Sequence, residues 1–159
     1  MGICRYGARS GFEGTREIPI IYLNLAITLA DPHQVTADIM PELNMDRLLE
    51  YPNTEYIPNH YTASPLGLID KSDGSKRRIH HLSYPATGIG SINGGIAEDY
   101  GTISYSGINA AIVAIQNIGT GSLLVKSDFE SALRHIPVSP LESPLLGLQW
   151  QGRYYAEGF

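Results

Sequence analysis

The stretch S-L-L-V-K-S-D-F-E-S-A-L-R-H-I-P-V, residues 122–138, places an acidic residue directly after a short apolar run. Such a run is typical of a buried strand, so we predict a central strand over residues 122–128 that ends in Asp128. Just upstream, one helical face is apolar and consists of Ile108, Ala111, Ile112, Ile115 and Ile118. Ser106 can cap this helix and Gly119 can end it, so we expect a helix over residues 107–118 that packs on the sheet.

Asp128 stands where the predicted strand gives way to the next segment. A carboxylate at a strand end is held by rigid backbone, and phosphoryl-transfer enzymes use such carboxylates to hold Mg²⁺ ions beside their substrates. Asp also begins turns well, and on this feature alone a turn is the better interpretation.

A second pattern lies in residues 66–82, where two apolar segments flank a polar turn. Asp73-Gly74 is a strong hairpin signal, so we predict a two-stranded hairpin that projects from the body. Four basic residues lie in or beside the turn: Lys71, Lys76, Arg77 and Arg78. Taken alone, they are typical of a solvated hairpin. His80 and His81 would point to opposite faces of the returning strand, so we interpret them as structural and not as a metal pair.

The rest of the chain is divided by Gly and Pro. Residues 145–150 and 153–156 predict a hairpin around Gln151-Gly152, with Tyr154 and Tyr155 packed on its sheet. Residues 42–50 have helical spacing and predict a short helix, with Pro32 and Pro41 as breaks before it. Residues 18–30 fit either a strand or a buried helix. Helix, strand and hairpins together predict an α+β fold with an antiparallel sheet and packed helices.

Composition excludes several classes of protein. The chain has 159 residues, 43% of them hydrophobic, which is enough for the core of one domain. Its net charge of −5 argues against binding nucleic acid through overall charge, so any phosphate contact must be local. Cys4 is the only cysteine, which excludes an internal disulfide, and the apolar run 18–30 is too short to span a membrane. We therefore expect an intracellular protein, in the cytoplasm or nucleus, without a membrane partner.

Three stretches stand in order along the chain: P-L-G-L-I-D-K-S-D-G-S-K-R-R-I-H-H-L-S-Y-P (65–85), S-I-N-G-G-I-A-E-D-Y (91–100) and L-L-V-K-S-D-F-E-S-A-L-R-H-I-P-V-S-P (123–140), with L-L-G-L-Q-W-Q-G-R-Y-Y (145–155) after them. In this order they resemble reverse transcriptases, especially those of DIRS-like retrotransposons. The resemblance implies a partial polymerase fold. Residues 1–60 would be an N-terminal connecting segment, residues 61–105 a fingers-like hairpin and extended connection, and residues 106–159 the start of the palm.

The resemblance also implies roles for single residues. Asp128 aligns with the first metal-binding aspartate of the palm, and the backbone carbonyl of Phe129 would face the same metal. Arg77, and with it Lys71, would contact the incoming triphosphate, for which the planar guanidinium fork is well suited. Leu133 aligns with the residue that senses the nucleotide sugar. The intact enzyme would use Mg²⁺, an RNA or DNA template-primer and deoxynucleoside triphosphates.

Several positions depart from the pattern of the family. Leu133 stands where a bulky aromatic is usual, Ser131 where an acid is frequent, and Asn93-Gly94 where Asn-Asp is common. The 159 residues contain no Asp-Asp pair, which is the second acidic motif of the family. We therefore expect a chain truncated before that motif, without the remaining palm and thumb, and inactive alone.

Two other functions remain open at this point. Aspartyl phosphatases of the haloacid-dehalogenase type also place a catalytic Asp after a buried strand, with a second acid two residues on, where this chain has Glu130. That family needs a lysine and an acidic motif further along, for which few residues remain after Asp128. The third hypothesis is a folded, non-catalytic remnant that acts as an interaction fragment.

Overall fold

The computed structural model describes residues 7–14, 17–86, 90–100, 106–121, 123–125, 127 and 136–158. In chain order, its regular elements are β1 (Ile20–Ile21), α1 (Ala26–Ala30), α2 (Pro32–Asn44), β2 (Leu48–Tyr51), β3 (Thr62–Ala63), β4 (Leu66–Asp70), β5 (Lys76–His80), α3 (Ile108–Ile118), β6 (Leu148–Trp150) and β7 (Arg153–Glu157). Short 3₁₀ turns lie at Asn93–Gly95 and Ser143–Leu146. The predicted α+β class is confirmed.

Helix α2 begins where a break was predicted. Pro32 is its first residue, a position that needs no backbone N–H donor, and the Asp31 carboxylate caps the helix by accepting the Gln34 backbone N–H at 3.2 Å. Pro41 lies inside the helix near its C-terminal end. The predicted break at Pro32 is present, because it separates α1 from α2 at Asp31, whose backbone is not helical. The predicted break at Pro41 is wrong, because α2 continues through Pro41 to Asn44.

The predicted helix over residues 42–50 is also wrong. Helix α2 ends at Asn44, and residues 48–51 form strand β2, which pairs antiparallel with β7 from Leu48 opposite Glu157 to Tyr51 opposite Tyr154. Between them, Asp46 has a φ of 54° and turns the chain. A distant strand therefore overrides the local helical spacing.

Strands β2, β7 and β6 form a three-stranded antiparallel sheet in that order. The β6–β7 hairpin confirms the prediction for residues 145–156, and Gln151 and Gly152 at its turn have φ values of 49° and 79°. Two consecutive positive φ angles are typical of the turn that matches the twist of a two-residue hairpin. Tyr155 is buried, and Tyr154 packs on the sheet, as predicted.

The main core lies between α2, this sheet and β4. Its buried side chains are Val35 and Ile39 from α2, Leu48, Leu148, Trp150 and Tyr155 from the sheet, and Leu66 and Leu68 from β4. The Trp150 indole N–H donates to the Thr36 hydroxyl at 3.0 Å, which satisfies the polar atom of the largest core side chain. The main core thus fixes β4 against α2 and the sheet.

Tyr61 is fully buried in a second cluster beside the sheet. Its hydroxyl lies 2.8 Å from the carbonyl oxygens of both Leu148 and Tyr155, to which it can donate its one proton. Burial raises the pKa of the Tyr61 phenol far above its ordinary value, so the group stays neutral. Tyr61 therefore ties the long connection before β3 to the β6–β7 hairpin.

Replacing Tyr61 by Phe is expected to lower the free energy of unfolding by about 1–2 kcal/mol, because two buried carbonyls lose a shared donor while the ring still fills its site. Urea denaturation measures this. Tyr56→Phe, at an exposed tyrosine, is the matched control and should leave the midpoint unchanged. Equal effects of the two substitutions would contradict the role of the Tyr61 hydroxyl.

A third cluster attaches the N-terminal segment. Phe12, Ile92 and Leu145 are buried together, and the Phe12 region forms an antiparallel bridge with Ile96. Nearby, the buried Glu142 carboxylate accepts hydrogen bonds from the Ser10 backbone N–H and from the Arg9 side chain. Residues 90–96, which belong to the predicted extended connection, are thus held between the N-terminal segment and the turn before β6.

The predicted central strand is not found where the structure describes it. Residues 123–125 lie outside any strand, and Leu123, Leu124 and Val125 are 94%, 74% and 89% exposed. Helix α3 is close to the predicted bounds and is followed by Gly119, as predicted, but its N-cap is Gly107 and not the predicted Ser106. None of its residues is buried. The predictions of a buried strand and of helix packing are wrong here, because a strand needs neighbouring strands and a covering layer, and the described residues supply neither.

No helix in the part of the chain that the structure describes combines the length and the apolar character needed to cross a bilayer.

Candidate functional site

Strands β4 and β5 form the hairpin that was predicted over residues 66–82, but it does not project from the body as predicted, because β4 packs in the main core and β5 lies along α2. They pair antiparallel from Leu66 opposite His80 to Asp70 opposite Lys76, with no helix across residues 71–80. The turn closes through a hydrogen bond from the Lys71 backbone N–H to the Ser75 carbonyl at 2.7 Å, and Gly74 supplies a φ of 80°. The Asp73-Gly74 signal therefore predicts the turn correctly, for the reason that only glycine adopts this φ without strain.

The Asp73 carboxylate organises the same turn. It accepts hydrogen bonds from the Ser75 hydroxyl at 2.6 Å and the Ser75 backbone N–H at 2.9 Å, and these bonds lower the pKa of Asp73 below its ordinary value. The carboxylate is thus ionised at neutral pH, and it stabilises the turn through its hydrogen bonds to Ser75.

The alternation of side chains along β5 separates its three basic residues, Lys76, Arg77 and Arg78. Lys76 and Arg78 share a face with Leu66 and Leu68, which are buried, so this face lies toward the core. The Lys76 ammonium forms an ion pair with Asp31 at 3.3 Å. Hydrogen bonds from the Gln34 backbone and then from Lys76 lower the pKa of Asp31. Lys76 and Arg78 are therefore directed toward the body of the protein.

Arg77 lies on the opposite, outer face of the hairpin and is exposed. It pairs with Ile69 across the hairpin and makes no ion pair within the described residues. Lys71, in the turn, is exposed as well. An exposed guanidinium presents its planar fork of donors to solvent, which is the geometry that binds phosphate oxygens in two parallel hydrogen bonds.

Gly67 lies on the same face of the hairpin as Arg77, but it is buried. Gly67 faces Ile79 across the hairpin, and a Cβ atom at Gly67 would lie 3.0 Å from Ile79 Cγ1 and 3.1 Å from Leu25 Cδ1. On this face of β4 and β5, only Ile69 and Arg77 are exposed, and Ile79 is half-buried.

Adjacent histidines on this hairpin are structural, as predicted. The His80 ring nitrogen Nε2 lies 2.9 Å from the Gly147 carbonyl, which joins β5 to the segment before β6. The His81 ring packs edge-on against Tyr84, with ring centroids 6.0 Å apart. The two imidazoles have different partners and do not form a shared metal site.

Asp128, Phe129 and Leu133 lie outside the described residues, so the structure assigns no distance from them to Arg77. In the described ranges, no three His, Cys, Asp or Glu side chains come together as a metal site. A carboxylate such as Asp128 is a suitable Mg²⁺ ligand, but octahedral coordination needs further oxygens that the described residues do not bring together. The residues described here therefore do not define a metal centre.

Sequence reasoning missed two acidic residues that hold the hairpin. Asp31 contacts Lys76, and the Asp38 carboxylate accepts the backbone N–H of Arg78 at 3.0 Å. Both contacts join residues about 40 positions apart, so no local spacing indicates them. The Asp31-Pro32 dipeptide, which is typical of a helix start, is the one local signal that was available.

Comparison with known proteins gives a fold but no family assignment. No protein-family model matches the sequence, and no curated protein matches it. Among solved structures, a prototype foamy virus protease-reverse transcriptase (CSH mutant) matches at 17% identity with a TM-score of 0.58, covering 97% of this chain and 19% of that chain. A foamy viral protease-reverse transcriptase dRH, in complex with double-stranded DNA, matches at 14% identity with a TM-score of 0.56, covering 97% and 24%.

This chain therefore has a reverse-transcriptase-like fold, and it spans about a fifth of the length of the structures it resembles. The helices and antiparallel sheets of the described residues are consistent with a partial polymerase fold.

Proposed function

We propose that this chain is a fragment of a retroelement reverse transcriptase, of the DIRS-like retrotransposon kind, which carries part of the nucleotide site for template-directed DNA synthesis. The observation that supports the proposal most directly is the hairpin: it belongs to a reverse-transcriptase-like fold, and its alternation leaves Arg77 exposed while Lys76 and Arg78 turn inward. The ordered motifs of the sequence support the same assignment.

In this proposal, Arg77 and Lys71 contact the phosphates of an incoming deoxynucleoside triphosphate. Asp128 and the Phe129 carbonyl are ligands of Mg²⁺ in the intact enzyme, where the metal stabilises charge on the transferring phosphoryl group. Leu133 lies beside the sugar. The partners are an RNA or DNA template-primer and the remaining palm and thumb of the longer protein, in the cytoplasm or nucleus.

In this proposal, the 159-residue chain binds a deoxynucleoside triphosphate but does not catalyse nucleotide transfer. Two Mg²⁺ ions need several carboxylate oxygens to set their positions, and the sequence has no Asp-Asp pair to add to Asp128. Phosphate contact by Arg77 does not depend on those carboxylates. The chain alone therefore holds a triphosphate weakly and transfers no nucleotide.

A second candidate function, a folded interaction fragment, is favoured by one observation. Large apolar side chains on and after α3 are exposed, among them Ile108, Ile118, Leu123 and Val125. Contiguous apolar surface usually marks a site where another chain or segment packs. This candidate needs no nucleotide, so triphosphate binding separates it from the first.

Replacing Arg77 by Gln is expected to weaken binding of dTTP by about tenfold, because a charge-assisted hydrogen-bonding group is lost from an exposed face. Isothermal titration of the purified chain at low ionic strength measures the affinity. Arg153→Gln is the matched control: it removes the same charge from an exposed residue on β7, and it should leave the affinity unchanged. Equal losses in both variants would indicate a non-specific charge effect and contradict the assignment.

A further inference from the structure

Strand β5 has two edges with different partners. The turn closes with a hydrogen bond between Lys71 and Ser75, and hydrogen-bonded pairs recur at every second position of an antiparallel hairpin. The pair of Ile69 and Arg77 is the next such pair, so the backbone N–H of Arg77 points toward β4. The N–H of Arg78, one residue later, points away from β4 toward helix α2. There it donates to the Asp38 carboxylate oxygen Oδ2 at 3.0 Å.

Asp38 is itself fixed on the helix. Its second oxygen, Oδ1, accepts the Gln34 side-chain amide at 2.8 Å. The Gln34 backbone N–H in turn donates to the Asp31 carboxylate, whose other oxygen contacts Lys76. Residues 31, 34 and 38 follow the spacing of one helical face, so this face of α2 lies along β5. We call Asp31 and Asp38 the α2 clamp.

We propose that Asp38 is a positioning residue for triphosphate binding, which acts by fixing β5 so that Arg77 is presented on the outer face. The clamp holds both neighbours of Arg77, Lys76 through its side chain and Arg78 through its backbone. Because successive side chains of a strand point to opposite faces, the Arg77 side chain then points to the outer face. This inference rests on the proposed role of Arg77 in phosphate contact.

The two members of the α2 clamp contribute unequally. Asp38 binds a backbone group, so its contact fixes the strand itself and does not depend on a flexible side chain. The Asp31–Lys76 ion pair is about one-third exposed on both sides, and exposed pairs of this kind contribute little to stability. Removal of Asp38 should therefore affect Arg77 more than removal of the Asp31 charge.

Positioning matters because a mobile arginine must be ordered when a ligand binds. Immobilising one long side chain and its strand costs affinity, and a strand that is already fixed avoids this cost. The Asp38 contact thus raises affinity without contacting the ligand.

The test measures dTTP affinity and amide hydrogen exchange in the purified 159-residue chain. Asp38→Ala is expected to weaken dTTP binding about fivefold, through loss of preorganisation. It should also speed exchange of the Arg78 amide about tenfold, through loss of its acceptor, with the Tyr155 amide in the central sheet unchanged. Asp38→Asn keeps a side-chain oxygen and should restore most of both losses. Asp31→Asn, which preserves a good helix cap, should change affinity less than Asp38→Ala.

A double mutant separates positioning from general stability. When Arg77→Gln is already present, Asp38→Ala should cause no further loss of affinity, because the residue that it positions is gone. An equal loss in both backgrounds, or faster exchange of Tyr155 to the same extent as Arg78, would overturn the proposal. If Arg77→Gln weakens binding and Asp38→Ala does not, the positioning role of Asp38 is wrong, but the proposed function is not contradicted. If Arg77→Gln itself has no effect, the proposed function fails and the positioning role fails with it.

Discussion

Replacing Asp128 by Asn is expected to lower the rate of DNA synthesis by about a thousandfold in a completed chain, one in which residues 1–159 continue into a palm segment with paired aspartates. A catalytic metal contributes several kcal/mol to stabilising the charge of the transition state. Each 1.4 kcal/mol is about a tenfold change in rate, so loss of one carboxylate ligand corresponds to roughly three powers of ten. Single-turnover incorporation of one deoxynucleotide on a primed template measures the effect.

Glu130→Gln is the matched control for Asp128→Asn, since it makes the same change from acid to amide two residues away. In the polymerase assignment Glu130 is not a metal ligand, so this variant should retain its rate. In the aspartyl phosphatase hypothesis Glu130 takes the place of the second catalytic acid. A completed chain that depends on Glu130 as strongly as on Asp128 would contradict the polymerase assignment and favour the phosphatase.

Replacing Leu133 by Phe is expected to raise the preference for deoxyribonucleotides over ribonucleotides by about 10- to 100-fold in the completed chain. The resemblance places Leu133 beside the sugar, where the usual aromatic excludes the ribose 2′-hydroxyl by its bulk. Leucine is smaller and leaves room for that oxygen. A difference of this size in a pocket is worth about 1–3 kcal/mol in discrimination. The ratio of kcat/KM values for dCTP and CTP, which differ only at the 2′ position, measures it.

Leu141→Phe controls for the general effect of adding an aromatic ring. Leu141 is 78% exposed, so the same substitution there should leave the selectivity unchanged. Equal selectivity of the parent chain and Leu133→Phe would show that residue 133 does not contact the sugar.

Local turn chemistry explains which parts of the fold could be predicted from the sequence. Asp73-Gly74 and Gln151-Gly152 both lie at tight turns that need positive φ, and both predicted hairpins are present. Helix α3 was predictable from its apolar spacing and its glycine stop. In each case the signal lies within a few residues of the element that it specifies.

Elements that depend on distant partners could not be predicted. Strand β2 exists because it pairs with β7 about a hundred residues later, although its own sequence has helical spacing. The run Leu123 to Val125 has the apolar character of a buried strand, but burial needs a neighbouring strand and a covering layer. Pattern alone indicates that a segment suits a core, and the rest of the fold decides whether a core is built around it.

The candidate site shows the same division. A hairpin was predictable, and with it the alternation that separates Arg77 from Lys76 and Arg78. Which face would lie inward depends on α2, a helix that was not predicted from the sequence. The contact between Asp38 and the Arg78 backbone joins two elements far apart in the chain, so only the structure identifies it.

Primer extension tests the central claim, that these residues are part of a reverse transcriptase, most directly. The assay compares the 159-residue chain with the completed chain on a primed RNA template, with Mg²⁺ and deoxynucleoside triphosphates. We predict extension by the completed chain, its loss in Asp128→Asn, and none by the 159-residue chain, because one aspartate cannot position two metal ions. A folded completed chain that extends no primer, or Asp128-dependent extension by the 159-residue chain, would contradict this account.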